Sequence, residues 1–441
     1  MSEASHFGRS APPAASDVPP DFRAISPPVS LPMRHFGLAA AAFPLFAAGL
    51  AWGAPRLVGF GFEPRFALGL VHILTLGWVA QTILGAWTQM IPTHGGTPLV
   101  SLPAAKAAWW LFVSGAAAFV AVLWSGSDRY WVPAALLYSG LLLSLAVLGA
   151  THARAARRSW TGVHFTASFL WLAVLGLVGT LMAVDRHRAV VFRDPEGGLI
   201  AHVHMALVGF LSTAVFGAGY RLFPDIALYQ LRSRLEGRAA FALLQAGLAG
   251  LALDCLFFGR RLMPLWAELL CAAYLAYFSQ ARAALKKGLP AEPGSAMAAL
   301  MVLGGGLWAA LGLSLAFGWL LDEPAARAAY VYAALVGFAT PAILSQIHRI
   351  APFLAWLHAH RDRRPSGPSD PPTLEDLTSR PLAWAEFVFL AAALPLGVAG
   401  FLRESELLVR AAGAALLACA ACNAVNAAFL IRARQPRGPH P

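Results

Sequence analysis

Residues Ala201–Pro224 read AHVHMALVGFLSTAVFGAGYRLFP, and the spacing inside this stretch decides the architecture. His204 is followed by Gly209, Gly217, Arg221 and Pro224, at offsets of 5, 13, 17 and 20. Val71–Pro92, VHILTLGWVAQTILGAWTQMIP, repeats the pattern: His72 is followed by Gly77, Gly85, Gln89 and Pro92 at the same four offsets. A third copy is Tyr332–Pro352, YAALVGFATPAILSQIHRIAP. Tyr332 stands at its anchor, Gly337, Arg349 and Pro352 keep their places, and Ser345 replaces the second glycine. The anchors are separated by 132 and then 128 residues. A period this long, met three times, marks a repeated structural unit.

The chain has 441 residues, of which 58% are hydrophobic and 12% charged, a composition that excludes an ordinary soluble globular protein. Apolar runs of about 20 residues recur throughout, each long enough for a bilayer core of roughly 30 Å. The repeat period predicts four spans per unit and twelve in all. They are expected near 35–58, 66–92, 104–125, 131–153, 162–184, 198–223, 238–259, 262–284, 295–320, 327–357, 381–402 and 408–431. The fold class is therefore an all-α integral membrane protein of three pseudo-repeated four-helix units, at about 35–153, 162–284 and 295–431. Residues 1–33, rich in Pro, Ala and Ser, are expected to form a disordered cytoplasmic leader before a 34–432 membrane domain. Residues 433–441 form a basic cytoplasmic tail.

Charge supports the same count. With both termini inside, the inner segments hold 22 of the 33 Lys and Arg residues and the outer loops 11. The net charge of +11 is thus a topology signal for the cytoplasmic membrane, with the lipid bilayer as the partner, and no nucleic acid need be invoked. Cys255, Cys271, Cys419 and Cys422 all fall within expected spans and read as small packing residues.

On this layout α-helical spans two and six both run inward, and His72 and His204 lie at equal depth, roughly 10 Å below the outer interface. An intramembrane imidazole must find a partner and is a functional candidate by default. His202, two residues before His204, is turned about 200° away from it, so the two face different sides of one helix. Three readings follow from the residues alone: two histidines facing across a cofactor, a copper ion held by His72, His202 and His204, or plain hydrogen bonding between helices.

The HxH on a membrane helix, the span count, the threefold repeat and the His…Gly…aromatic…Pro pattern resemble subunit I of the haem–copper oxidase superfamily. HVHMALVGFLSTAVFGAGYRLFP resembles stand-alone cbb3-subunit-I-like proteins. HILTLGW with the downstream THGGTPL, taken with HVHMALVGF, is similar to motifs of NnrS-type membrane proteins. The resemblance implies a b-type haem, with copper as a further cofactor, held by His72 and His204 with His202 as the alternate. It also implies a role in electron transfer or nitric oxide handling beside a respiratory electron-transfer partner. The departures are informative. The seventh span, AAFALLQAGLAGLALDCLFFG, has no histidine, and the tenth has Tyr332 at the anchor, so a full oxygen-reducing haem–copper site cannot be assembled.

Asp254, Glu268 and Glu386 also fall inside expected spans. A carboxylate in hydrocarbon costs at least about 3 kcal/mol, so they are candidates for a proton or ion path. They support an alternative from another class, a metal or small-solute transporter; a non-catalytic assembly partner is a third. His94 and His348 are expected at inner interfaces, His358 and His360 on a basic surface, and Gln89, Arg221 and Arg349 at one shared helix-end position.

Overall fold

In a computed structural model the chain is helical, with no strand among the described residues. Those residues are 24–156, 159–188, 190–227, 234–288, 292–320, 323–360 and 377–432. The expected leader as far as 23, the expected tail, and most of the long connection after His360 lie outside them. Eleven helices among the described residues are long and apolar enough to cross a membrane. They are α1 (Ser30–Trp52), α2 (Pro64–Gly95), α3 (Leu102–Ser125), α4 (Trp131–Ala153), α5 (Trp160–Arg186), α6 (Pro195–Tyr220), α7 (Leu235–Phe258), α9 (Pro293–Ala316), α10 (Pro324–Trp356), α11 (Arg380–Leu402) and α12 (Glu406–Phe429). The helix α8 (Met263–Gly288) occupies the place of the expected eighth span but is not apolar enough to join that set. Its sequence carries Glu268, Tyr274, Tyr277 and Gln280, and three of these four side chains are buried in protein instead of facing lipid. The first helix begins at Ser30, inside the segment expected to be a leader. Ser26 accepts a hydrogen bond from Gln89 at 2.6 Å, which ties the approach to that helix onto α2.

Helices α2, α6 and α10 are the most enclosed. All three open alike, on an acidic residue followed by proline at the first helical position: Glu63–Pro64, Asp194–Pro195 and Glu323–Pro324. Proline suits this position because its missing N–H would have no intrahelical partner, and the acid faces the positive end of the helix dipole. Each of the three then passes into a π-helical segment directly after its anchor residue: Ile73–Ala80 after His72, Met205–Ser212 after His204, and Ala333–Ala339 after Tyr332. Side-chain hydroxyls follow the widened turn, with Thr213 donating to Val208 O and Thr340 to Leu335 O, five residues back in each case. Such segments are rare and concentrate at functional sites.

The helices close into a ring. α1 packs on α2, α5 on α6 and α9 on α10; α3 pairs with α4, α7 with α8 and α11 with α12; and α4 meets α5, α8 meets α9, and α12 returns to α1. Aromatic side chains fill the middle, including the fully buried Trp78, Trp87, Phe216, Tyr277 and Phe338. The outer faces carry exposed apolar side chains such as Trp52, Leu170, Leu275, Leu303 and Leu407, as expected where the solvent is hydrocarbon. Where α2, α6 and α10 approach each other, a cavity of about 40 Å³ is lined by Ile83, Trp87, Ala214, Val215, Ile343 and Gln346. Its lining follows the anchor residue in each helix.

Candidate functional site

His72 and His204 sit eight and nine residues into α2 and α6, about 12–14 Å along each axis from its start. Their rings are fixed in the same way. His72 Nδ1 donates to Leu68 O at 2.7 Å and His204 Nδ1 to Ile200 O at 2.8 Å, the carbonyl one turn back in each case. A carbonyl can only accept, so the proton is on Nδ1 and the lone pair on Nε2 points away from the helix. This is the tautomer a ligating histidine needs, oriented by a backbone acceptor.

The two lone pairs meet different fates. His204 Nε2 accepts a hydrogen bond from the Tyr330 hydroxyl of α10 at 2.9 Å. The His72 ring instead has the edge of Phe119 of α3 beside it, with ring centroids 5.1 Å apart. His202 is the histidine close enough to His72 for their charges to interact, and it makes a backbone hydrogen bond with Leu175 of α5. Its Nδ1 is buried with no partner. The His202 ring turns its Cε1 edge to Gly179 of α5, where a Cβ would come within 2.8 Å of Cε1 and 3.3 Å of Nδ1. His72 and His202 are each partly exposed. Phe119 of α3 stands beside the first ring and Gly179 of α5 beside the second, and the interval between the two rings forms the first crevice. Among the described residues no three His, Cys, Asp or Glu side chains are grouped closely enough to hold a metal ion together. His202 is thus the histidine within electrostatic range of His72, while His204 faces α10.

Tyr332, at the third anchor, donates to Ala393 O at 2.8 Å and packs its ring against Gly397 and Phe401 of α11. It fills its own crevice.

The carboxylates do not form a chain; none of their hydrogen bonds joins one to another among the described residues. Asp254 is buried at the outer end of α7, where its oxygens accept the backbone N–H groups of Arg261 and Leu262 at 3.1 and 2.8 Å. Glu268 is exposed on α8. Glu386 is fully buried at the inner end of α11. Its carboxylate accepts from Asn426 Nδ2 at 2.9 Å and Asn423 Nδ2 at 3.3 Å, and pairs with His348 Nε2 at 3.1 Å. His348 is thereby a partner of a buried acid, whereas the sequence suggests an interfacial side chain. His94 bonds back to Met90 O at 2.9 Å at the inner end of α2. The side chains of Arg221, Arg349, His358 and His360 lie outside the described residues.

Two buried histidines escaped the motif search. His35 of α1 bonds through Nδ1 to Gln81 Oε1 at 2.8 Å, and Gln81 also accepts from Trp109 Nε1 at 3.1 Å. His164 of α5 donates to Trp160 O at 3.0 Å. They are 129 residues apart, the repeat period, which is the signal that finds them. They also explain the second glycine of the motif. A Cβ on Gly85 would lie 2.7 Å from His35 Cβ, and one on Gly217 would lie 2.4 Å from His164 Cβ.

At the end of the bundle where α6 and α10 begin, Arg260 pairs with Asp194 at 3.0 Å and Glu196 at 2.8 Å, and Arg327 also reaches Glu196. These contacts fasten the starts of α6 and α10 to the α7–α8 turn. In the loop before α2, the hydrogen bond from Arg56 holds the Glu63 carboxyl below the usual carboxylate range.

Fold and site together define a polytopic helical membrane protein with imidazoles set into its interior. No protein-family model and no curated protein matches the chain. The site itself must carry the functional assignment.

Proposed function

We propose that the chain is a haem-binding membrane protein on the scaffold of haem–copper oxidase subunit I, without the oxygen-reducing centre. In this reading α8 counts as a twelfth span, the ring consists of three four-helix units, and both termini face the cytoplasm across the inner membrane. The threefold recurrence of the acid–proline start, the anchor and the π segment supports it. The observation that carries the haem assignment is the His72–His202 crevice. One imidazole there has its Nε2 lone pair directed off the helix and the other has an unclaimed buried nitrogen, over a glycine that leaves room for the ring. His204, favoured by motif alone, has its Nε2 engaged by Tyr330. A haem held by His72 and His202 would supply one-electron chemistry at a potential set by its axial ligands and dry surroundings.

The protein residues orient the ligands and exclude water. Leu68 O fixes the tautomer of His72, while Phe119 and the α3–α4 pair wall the crevice from lipid. The fit suits electron transfer, or the handling of a small gas such as nitric oxide, beside a respiratory partner. Copper at the same histidines would need a third ligand, and the structure turns His204 the other way. The transporter reading rests on Asp254, Glu268 and Glu386, which serve as a turn cap, a surface acid and a clasped buried acid.

The test is a dithionite-reduced minus oxidised visible spectrum of the detergent-purified protein grown with ample haem. Sharp Soret and α bands that vanish in His72→Ala and His202→Ala are expected. A featureless wild-type spectrum removes the proposal.

A further inference from the structure

The anchor of one unit faces the residue two before the anchor of the next. His72, the first anchor, is within electrostatic range of His202, two before the second anchor. His204, the second anchor, is paired with Tyr330, two before Tyr332. Tyr332, the third anchor, turns to Ala393 and Gly397 of α11 instead. α2 and α6 hold comparable places in the ring, packed on α1 and α5 respectively. What distinguishes the first two crevices is the pair that each presents: His with His, and His with Tyr.

The first crevice keeps a buried nitrogen without a partner. In the second, the phenol hydroxyl is 2.9 Å from His204 Nε2, a direct hydrogen bond with no space for an atom between the two groups. The rings lie 5.8 Å apart and tilted, with Trp308 of α9 packed behind Tyr330 at 5.8 Å between ring centroids. His204 has every other feature of His72: the same depth, the same backbone acceptor one turn back, and the same π segment beginning at the next residue. Tyr330 is the single group that occupies its lone pair.

We propose that Tyr330 is a specificity-determining residue that reserves the second crevice from cofactor and limits the chain to one haem. This inference rests on the haem assignment for the first crevice. Tyr330 acts by position, satisfying the buried acceptor of His204 that would otherwise be left as a ligand without an iron. The same pairing explains why a chain with two motif histidines on one helix needs both of them. His202 belongs to the first crevice and His204 to the second.

The experiment is haem counting by the pyridine haemochrome method on full-length protein reconstituted with haem in detergent, normalised to protein by amino-acid analysis. Wild type is expected to hold one haem per chain. Tyr330→His, which sets two imidazoles across the second crevice, is expected to hold two. Adding His204→Ala to Tyr330→His should return the count to one, and Tyr330→Phe, which keeps the ring in place, should stay at one. Should Tyr330→His elute as aggregate, Tyr330→Ala with imidazole in the buffer serves in its place, the free imidazole standing where the side chain was and the count again rising to two. A wild-type count of two overturns the inference. So does a count of one in both Tyr330→His and Tyr330→Ala with imidazole. A wild-type count of zero removes the haem assignment beneath it, an outcome distinct from either of those.

Discussion

Gly179→Ala tests whether the His202 ring is placed for binding. The added Cβ would sit 2.8 Å from His202 Cε1 and 3.3 Å from Nδ1, where ordinary van der Waals contact begins at 3.4 Å. The ring must therefore shift by about 0.6 Å or more, inside a bundle packed at the density of an organic crystal. Overpacking of this kind costs roughly 1–3 kcal/mol, which becomes about 5- to 150-fold in haem affinity if it falls on the bound state. The same substitution should raise intrinsic helix stability, because alanine is favoured over glycine by up to about 1 kcal/mol in a helix interior. The expected signature is faster loss of haem to excess apomyoglobin, beyond any change in the thermal stability of the haem-free protein. Gly306→Ala on α9 is the control, since a Cβ there would meet nothing within 4 Å. If Gly179→Ala retains haem as wild type does while the spectrum stays low-spin, the His202 ring is not a ligand and the crevice geometry has been misassigned.

Three other outcomes follow from particular contacts. Gly217→Ala should destabilise the fold by roughly 1–3 kcal/mol, because its Cβ would meet His164 Cβ at 2.4 Å; Ser345→Ala, at the equivalent place in the third unit, should cost under about 1.5 kcal/mol. Chemical denaturation in mixed micelles measures both, and equal costs would break the link between the motif glycine and the buried histidine. Glu386→Gln should lower stability by about 1–3 kcal/mol, since the new amide would turn donors toward the donors of Asn423 and Asn426; unchanged stability would mean that the carboxyl is not the acceptor the geometry makes it. Glu63 has a folded carboxyl pKa below its unfolded value, so its pair with Arg56 adds stability above the unfolded value of about 4.3 and loses it as pH falls through the lower folded one. Melting temperature against pH should therefore show a wild-type advantage over Glu63→Gln at neutral pH that disappears on acidification, and a constant gap would contradict the assignment.

The membrane helices were legible because hydrocarbon imposes a length and a composition on anything that crosses it. The expected spans match the observed helices to within a few residues at most ends. α8 is the informative departure: Tyr274 serves Ser212 of α6, and Tyr277 and Gln280 are buried against protein, so composition under-reports a helix whose polar side chains face the bundle. Anchor depth was legible from spacing, but the direction of each ring was not. Which crevice His204 enters depends on Tyr330, a residue 126 positions away with no motif of its own. The π segments were invisible in hydropathy, since Met205–Ser212 is apolar on every face. The acid–proline pairs at 63–64, 194–195 and 323–324 were plain in the sequence, but Glu292–Pro293 opens α9 in the same way, so the pair alone does not mark the central helices.

Each π segment also sets the phase between two halves of one helix. Above it lies the crevice residue, at His72, His204 or Tyr332; below it lie the second motif position and the packing on α1, α5 or α9. The wide turn takes up an extra residue, so a single residue removed from Met205–Ser212 would let that stretch relax to an α-helix with both halves keeping nearly the same facing. His204 would stay toward Tyr330 and Gly217 on His164. A residue added or removed in the α-helical stretches would instead swing one half by about 100° against the other. The π segments are therefore the places in these three helices where chain length can change without repacking either end, a latitude closed to a helix of uniform pitch.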